Sequence, residues 1–367
     1  MHTVEVEQKN ALLVFVNSFE KDRTEIRMSE IVKDELKSLV STIGLKVCGS
    51  LSFNVARTHP NFLLGKGQTE SVKNAVAECG ADIVVFNCEV SPRIQRNLED
   101  AFDCCVIDRQ EVIIQIFVDR AKTREAKLQA ELASLEYSLP RLTRRWTELS
   151  QQRGGAFRSR GAGETKLELE RRTAKARISN LKKRLKKIET QRMVQRKNRL
   201  NNKIKTGAIV GYTNSGKSSL LKALSKSDVY AEDMLFATGD AETRRVFLPE
   251  SNNYALLTDT VGFVDNLPHD LIDSFRSTLE EAKYSDFLII VCDASHPAMI
   301  DCFAVTNNVL DELGCKNKKR IVFINKTDNV YNEADVLKLK AMTSNAIEAS
   351  VKKSVGLDVL LKRISEI

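Results

Sequence analysis

Residues 211–218 have the sequence G-Y-T-N-S-G-K-S, which matches the phosphate-binding pattern G-x-x-x-x-G-K-[S/T]. The apolar segment G-A-I-V (207–210) precedes it, so we predict a strand, a phosphate-binding loop and a helix in that order. Backbone amides of such a loop surround phosphate groups. Lys217 would contact the β and γ phosphates, and Ser218 would bind Mg²⁺. The predicted nucleotide contacts are Gly211, Tyr212, Thr213, Asn214, Ser215, Gly216, Lys217 and Ser218.

A second motif, D-T-V-G (259–262), follows a predicted strand, Y-A-L-L-T (254–258). Asp259 fits the aspartate that holds Mg²⁺ through water, and the amide of Gly262 fits a γ-phosphate contact. D-x-x-G is common by itself, but at this distance after a phosphate-binding loop it is specific. We expect Asp259, Thr260, Val261 and Gly262 to line the site.

A third motif, N-K-T-D (325–328), ends the predicted strand R-I-V-F-I. The carboxylate of Asp328 can accept hydrogen bonds from N1–H and the 2-amino group of guanine, whereas adenine would leave these acceptors unpaired. Asn325, Lys326, Thr327 and Asp328 are therefore predicted to select GTP over ATP. The stretch E-A-S-V-K (348–352) stands where a last loop usually touches the base, and there Ser350, Val351 and Lys352 are the predicted contacts.

The segment that senses the γ-phosphate should lie between these motifs, in L-F-A-T-G-D-A-E-T-R-R (235–245). Thr238 is the preferred second Mg²⁺ ligand, and Thr243 is the alternative. The predicted nucleotide contacts here are Phe236, Ala237, Thr238, Gly239 and Asp240.

Phe263 follows D-T-V-G, where many related enzymes carry the glutamine that orients the attacking water. A phenyl ring has no hydrogen-bonding group, so another component must complete the site. Within the chain, Lys217 is the predicted catalytic residue. One candidate is K⁺, because Asn214 matches the asparagine that coordinates K⁺ in some GTPases with a hydrophobic residue at this position. Alternatively, Asn214 stabilises its loop and Phe263 only packs beneath the switch.

The remaining chain divides into two regions. Up to about residue 120, apolar runs at 11–16, 45–51, 82–87 and 104–107 predict strands, and 28–42, 69–79 and 92–102 predict helices. Next come two apolar seams at helical spacing, Leu128 to Leu149 and Ala174 to Ile188, with Pro140 expected to kink or break the first. The arginine-rich stretch R-G-G-A-F-R-S-R-G-A-G-E-T (153–165) between them is predicted to be a flexible turn.

The fold class is therefore α/β: a small N-terminal α/β domain, an antiparallel helical hairpin and a Ras-like doubly wound phosphate-loop GTPase domain. The predicted boundaries are 1–120, 121–203 and 204–367, with the basic, glycine-rich tip of the hairpin at about 153–165. The six predicted strands of the third domain lie at 207–210, 244–248, 254–258, 287–292, 320–324 and 346–349.

Charge is distributed unevenly along the chain. The net charge is +8, but residues 153–205 hold 10 Arg and 9 Lys against 4 Glu. Such an excess is typical of a surface that binds a polyanion, whereas a solvated helix face usually mixes signs. We predict that Arg153, Arg158 and Arg160 contact RNA phosphates.

The composition excludes several classes of protein. The sequence contains no long uncharged apolar run and no N-terminal secretory pattern, and its eight cysteines are scattered without a C-x-x-C pair. We expect a cytoplasmic monomer without a transmembrane segment or zinc site.

Over about residues 60–360 the chain resembles the HflX family of ribosome-associated GTPases. The resemblance lies in V-V-F-N-C-E-V-S-P-R-I-Q-R-N-L-E (84–99), V-I-D-R-Q-E-V-I-I-Q-I-F (106–117) and R-G-A-G-E-T-K-L-E-L-E-R-R (160–172), besides the nucleotide motifs. It implies hydrolysis of GTP to GDP and phosphate, binding to the large ribosomal subunit and its rRNA, and splitting of stalled or idle ribosomes. Gly239, Ala241 and Glu242 depart from the family's F-A-T-L-D-P-T-T-R-R switch.

Two alternative functions stay open at this point. The protein could be a GTPase that acts in assembly of the large subunit. It could also be a signalling GTPase with a protein effector, whose basic hairpin associates peripherally with acidic membrane lipids. Ribosome co-sedimentation at raised salt separates these classes.

Overall fold

The computed structural model describes residues 8–18, 23–55, 57–142, 160–201, 204–225, 242–260, 262–263, 281–344 and 346–367. Within these ranges, residues 18, 23–31, 160–167 and 192–201 are described by their backbone alone. The chain divides into two compact units, one with residues 1–119 and 128–185, the other with residues 120–127 and 186–367.

Aliphatic segments form the first sheet, in which all strand pairs are parallel and the order is β2-β1-β3-β4. Its strands are β1 (Asn10–Ser18), β2 (Lys46–Val55), β3 (Ile83–Phe86) and β4 (Cys105–Asp108). The helices of this region are α1 (Arg23–Thr42), α2 (Lys66–Cys79), α3 (Pro92–Phe102) and α4 (Arg109–Arg120). Leu12, Val84 and Phe86 are almost fully buried in its core. The predicted N-terminal α/β fold is therefore confirmed.

Helix α4 is the element that the sequence prediction missed. Its apolar run V-I-I-Q-I-F lacks a clear period, because Val112, Ile113, Ile114, Ile116 and Phe117 are all buried. The helix start is fixed by Asp108, whose Oδ1 accepts a hydrogen bond from the amide of Glu111 at 3.0 Å.

The helical region contains α5 (Arg124–Ser138), a 3₁₀ turn (Leu139–Arg141) and α6 (Arg160–Asn201). Helix α5 ends before Pro140, as predicted. Arg177–Glu131 and Lys182–Glu136 ion pairs, both 2.7 Å, join α6 to α5. The residue numbers rise on both helices from the first pair to the second. In a straight antiparallel hairpin they would rise on one helix and fall on the other. The antiparallel direction therefore stays a prediction.

The predicted turn at 153–165 requires a correction. Helix α6 already begins at Arg160, so residues 160–165 are helical and include Gly161 and Gly163. Each glycine costs a helix about 1 kcal/mol relative to alanine, but extension of an established helix over a long run of good helix formers is favourable. Arg153 and Arg158 lie outside the described residues, and Arg160 is the first residue of α6.

The second sheet has the order β10-β9-β8-β5-β7-β6 and contains all six predicted strands. They are β5 (Lys205–Gly211), β6 (Glu242–Leu248), β7 (Asn253–Asp259), β8 (Phe287–Asp293), β9 (Lys319–Asn325) and β10 (Ala346–Glu348). Only the β6–β7 pair among these described strands is antiparallel. The accompanying helices are α7 (Lys217–Ser225), α8 (Met299–Glu312), α9 (Glu333–Met342) and α10 (Leu357–Ser365).

Both faces of this sheet are buried. Along β5, Ile209 belongs to one apolar cluster, and its neighbours Ala208 and Val210 belong to the other. This is the pattern expected of a doubly wound α/β domain, in which ligands bind at the carboxyl ends of the parallel strands. The carboxyl ends of β5, β7, β9 and β10 carry the motif residues predicted above.

Candidate nucleotide-binding site

The phosphate-binding loop joins β5 to α7 and requires two of its glycines. A Cβ on Gly211 would lie 2.3 Å from the carbonyl oxygen of Val291, and one on Gly216 would lie 2.3 Å from Nδ2 of Asn325. Gly216 also has φ +95°, which L side chains rarely adopt. Asn214 has φ +59°, a conformation that asparagine tolerates better than most residues. The geometry of the loop thus explains why glycine stands at 211 and 216 and asparagine at 214.

Lys217 is the buried cation of the loop, with 6% of its surface exposed. Its Nζ donates a hydrogen bond to the carbonyl oxygen of Tyr212 at 2.8 Å. Burial lowers the pKa of Lys217 to about 8, although the negative charge of Asp259 acts in the opposite direction. An ammonium group with little solvation of its own is suited to contact phosphate oxygens.

Ser218 and Asp259 form the pair expected to serve a metal ion. The Ser218 hydroxyl donates to Oδ2 of Asp259 at 2.6 Å, and Asp259 is 1% exposed. The hydroxyls of Thr213 and Ser215 are buried and have no hydrogen-bond partner among the described residues. Oxygen ligands are those that Mg²⁺ prefers, and buried hydroxyls without partners call for a polar ligand. The donor set therefore fits Mg²⁺ with a polyphosphate.

Gly262 and Phe263 pack directly on the phosphate-binding loop. Phe263 donates its amide to the carbonyl of Gly211 at 3.0 Å and accepts from the amide of Thr213 at 2.8 Å. A Cβ on Gly262 would lie 2.8 Å from Nζ of Lys217 and from Cα of Thr213, so only glycine fits there. The Phe263 ring is fully buried in the apolar cluster on one face of the sheet.

Asn325 and Lys326 connect the loops of the site with one another. Asn325 donates Nδ2 to the carbonyl of Ser215 at 2.9 Å and accepts at Oδ1 from the amide of Val351 at 3.1 Å. Nζ of Lys326 contacts the carbonyl of Asn214 at 3.0 Å and Oδ2 of Asp293 at 2.7 Å. These side chains thus hold the phosphate-binding loop against the loops that follow β9 and β10.

Asp328 lies beside the loop that follows β10. Its Oδ1 accepts a hydrogen bond from the hydroxyl of Ser350 at 2.6 Å, which lowers the pKa of Asp328. Thr327 bonds the carbonyl of Ala349 through both its amide, at 3.1 Å, and its hydroxyl, at 2.9 Å. Lys352 is exposed. The structure thus brings N-K-T-D and the S-V-K stretch together, as the sequence predicts for a base pocket.

The switch residues are described only in part. Phe236, Ala237, Thr238, Gly239, Asp240 and Val261 lie outside the described residues. Thr243, the alternative Mg²⁺ ligand, lies on β6 with its hydroxyl 2.9 Å from that of Thr258. Thr260 is fully buried, and its hydroxyl donates to the carbonyl of Ile209 at 2.8 Å.

Asp293 is a site residue that sequence reasoning missed. It ends β8, its Oδ2 pairs with Lys326, and its Oδ1 accepts from the amide of Ser295 at 2.9 Å. Its position in the sequence could have identified it. Asp293 is a polar residue at the end of a buried strand, and a parallel strand beside β9 ends at the same sheet edge as Asn325.

Comparison with known proteins agrees with this geometry. Family models match most of the chain: a GTP-binding GTPase N-terminal region at 31–118, a GTP-binding GTPase middle region at 120–199 and a 50S ribosome-binding GTPase at 206–326. GTPase HflX of Treponema denticola is 57% identical, over 100% of this chain and 99% of its own. The chain belongs to the HflX family of GTPases. This HflX protein therefore hydrolyses GTP, and its likeness to relatives extends beyond the predicted range of 60–360.

One more distant relative and one solved structure are also similar to the chain. GTPase HflX of Escherichia coli is 36% identical to this HflX protein, over 90% of this chain and 78% of its own. The crystal structure of SsGBP in complex with GDP is 26% identical with a TM-score of 0.53, and covers 98% of both chains. No helix in the described part of this HflX protein has the length and apolarity to cross a membrane.

Proposed function

We propose that this HflX GTPase binds the large ribosomal subunit and, with GTP, splits stalled or idle ribosomes. The observation that carries the proposal is the cationic surface of α6. Arg171, Arg172, Lys175, Lys183, Lys186 and Lys187 are exposed there, and none of them has an ion pair among the described residues. The match to a 50S ribosome-binding GTPase family supports the same partner.

The unpaired cations favour a polyanionic partner on physical grounds. Arg177 and Lys182 on the same helix are neutralised by Glu131 and Glu136, so α6 carries both paired and unpaired basic residues. Unpaired lysine and arginine side chains bind phosphates and release counterions, which makes the affinity fall with salt. We expect rRNA to be the polyanion, with Arg153, Arg158 and Arg160 contributing at the end of the hairpin.

We further propose roles for the residues of the nucleotide site. Lys217 and the amides of the phosphate-binding loop contact the phosphates, and Asp328 with Ser350 recognises guanine. Ser218 and Thr238 would hold Mg²⁺ directly and Asp259 would hold it through water, and the ion would supply positive charge to the phosphates. Asn325 and Lys326 position the loops rather than touching the reacting atoms.

Hydrolysis by the free protein should be slow, because the Phe263 ring is buried in the core and cannot orient water. Binding of the large subunit would order the switch and complete the site. K⁺ coordinated by Asn214 would neutralise developing phosphate charge, as an arginine finger does.

The proposal is tested by co-sedimentation with purified large subunits across a salt series. The triple variant Lys183→Gln, Lys186→Gln, Lys187→Gln should bind more weakly, and the salt slope should fall by roughly 1 for each lysine that neutralises a phosphate in the wild type. A matched control with the same charge change, Lys73→Gln, Lys316→Gln, Lys338→Gln, alters exposed lysines elsewhere and should bind like the wild type.

A second assay separates splitting from the alternative functions. Whole ribosomes with the protein and GTP should yield free subunits on a sucrose gradient. Preference for large-subunit precursors, without splitting, would indicate an assembly GTPase. Binding to anionic vesicles but not to ribosomes would indicate a membrane-associated signalling GTPase. Equal binding by both triple variants would contradict the proposed role of α6.

A further inference from the structure

Two cysteines of the N-terminal sheet face each other at close range. Cys48 lies on β2 and Cys79 is the last residue of α2, and their Sγ atoms are 2.9 Å apart. This is closer than non-bonded sulfur atoms normally approach, yet longer than the roughly 2.05 Å of a disulfide bond. Both side chains are partly exposed, so a small reagent can reach them.

Local backbone irregularities bring the two thiols together. Ala11 pairs with Val47 and Leu12 with Gly49, so Cys48 is the extra residue of a β-bulge in β2. On the other side, Gly80 caps the end of α2, with φ +60° and its amide donated to the carbonyl of Val76. The contact is thus built from two defined features of the fold.

We propose that Cys48 and Cys79 form an oxidisable dithiol site, which a peroxide converts reversibly into an intramolecular disulfide. In the first step one thiolate attacks a peroxide oxygen, and the O–O bond breaks to give a sulfenic acid and hydroxide. In the second step the other sulfur attacks the sulfenic sulfur and expels water. With hydrogen peroxide, two thiols lose two electrons and two protons, and two water molecules form.

The surroundings of Cys48 make its oxidation depend on pH. Burial, together with the contact to Cys79, raises the pKa of Cys48 to about 11, so Cys48 stays a thiol near neutral pH. Either sulfur can make the first attack, and the other then completes the disulfide. Because the thiolate is the nucleophile, oxidation should accelerate as the pH rises.

A metal site does not explain this pair, because the described residues contain no group of three or more side chains that could hold a metal ion. The neighbouring thiol that competes with Cys48 is Cys104, whose pKa is raised by burial and by nearby charges, including that of Cys79. The competing product is therefore a disulfide between Cys79 and Cys104, and the experiment must distinguish it from the Cys48–Cys79 disulfide.

The disulfide would stabilise the N-terminal sheet. It would tie β2 to the end of α2 and close the chain segment between them, which restricts the unfolded state. The nucleotide motifs lie in the other compact unit, so oxidation should raise the unfolding temperature of the N-terminal unit without changing nucleotide affinity.

The experiment uses the full chain, treated with hydrogen peroxide, quenched with N-ethylmaleimide, digested and analysed by mass spectrometry. The expected product is a peptide pair linked through Cys48 and Cys79, lighter by two hydrogens and separated by dithiothreitol. Oxidised wild type should unfold at a temperature several degrees higher, as expected for a cross-link. Cys48→Ser should lose both effects, whereas the matched variant Cys104→Ser should keep them.

Two results would overturn the proposal. One is that Cys48 and Cys79 both stay alkylated while other thiols oxidise. The other is that Cys79 links to Cys104 in the wild type. Because the wild type is the primary sample, neither result depends on whether Cys48→Ser folds. GTP hydrolysis and ribosome binding are measured separately, so failure here leaves the proposed function untouched.

Discussion

The amide of Thr213 donates a hydrogen bond to the carbonyl oxygen of Phe263 over 2.8 Å. This bond joins the phosphate-binding loop to the residue after D-T-V-G by backbone, while the Phe263 ring points into the core and is fully buried. The position at which related enzymes carry a water-orienting side chain is therefore used for packing.

Replacement of Phe263 separates packing from catalysis. Phe263→Gln places an amide in an apolar cluster, so it should lower the free energy of unfolding by about 3 kcal/mol and should not raise basal GTP hydrolysis. Phe263→Leu should cost less and retain stimulation by large subunits. Urea unfolding and single-turnover hydrolysis measure the two effects. Faster basal hydrolysis by the glutamine variant would show that this side chain can reach the water.

Lys217 predicts a pH dependence of nucleotide binding. Its pKa of about 8 lies below the ordinary 10.5 because of burial, and phosphate oxygens should raise it again. Binding should therefore take up a proton, and affinity should fall as the pH rises above 8. The stability of the nucleotide-free protein should depend on pH in the opposite direction. Because the lysine pKa is lower in the folded state, the free energy of unfolding should rise as the pH rises from about 8 to about 10.5.

Calorimetry checks this proton uptake. GDP titrations at about pH 8.5, in two buffers of different ionisation enthalpy, should give different observed heats. The Lys217→Arg variant, whose guanidinium stays protonated, should give the same heat in both buffers. If the wild-type protein gives the same heat in both buffers, Lys217 does not take up a proton when the nucleotide binds.

Asp328 should determine the choice of base. Asp328→Asn should weaken GTP relative to xanthosine triphosphate, because xanthine presents a carbonyl where guanine has its amine and an amide can donate to it. The matched control is Asp293→Asn, which removes a carboxylate that contacts Lys326 at the same sheet edge. Competition binding should show switched preference only for Asp328→Asn, and an unchanged preference would exclude Asp328 from base recognition.

Asn214 offers a clean test of the K⁺ hypothesis. Its φ of +59° would strain most replacements, but glycine adopts this conformation readily. Asn214→Gly should therefore keep the loop and GTP binding while losing the advantage of K⁺ over Na⁺ in hydrolysis. If the variant keeps that advantage, the Asn214 side chain only stabilises the loop.

The sequence predicted the strands that carry the nucleotide motifs, because each motif stands at the carboxyl end of a short buried strand. The six strands of the second sheet and the contact between Ser218 and Asp259 follow from this rule. It could not predict side-chain roles that depend on packing. Asn325 also bonds two protein loops, a role that the N-K-T-D motif does not reveal by itself.

The helical elements show where local patterns fail. Helix α4 was missed because it is buried on most sides, which removes the helical period. The start of α6 was placed too late, since two glycines outweighed the long helical run after them. The contact between Cys48 and Cys79 depends on a bulge in β2, which sequence periodicity does not reveal.

The most direct test of the account is single-turnover GTP hydrolysis in matched K⁺ and Na⁺ buffers, with and without purified large ribosomal subunits. We expect slow hydrolysis by the free protein and strong stimulation by large subunits, with K⁺ more effective than Na⁺. Fast, ion-indifferent hydrolysis by the free protein, unchanged by large subunits, would contradict it, because the chain would then supply its own water-positioning group.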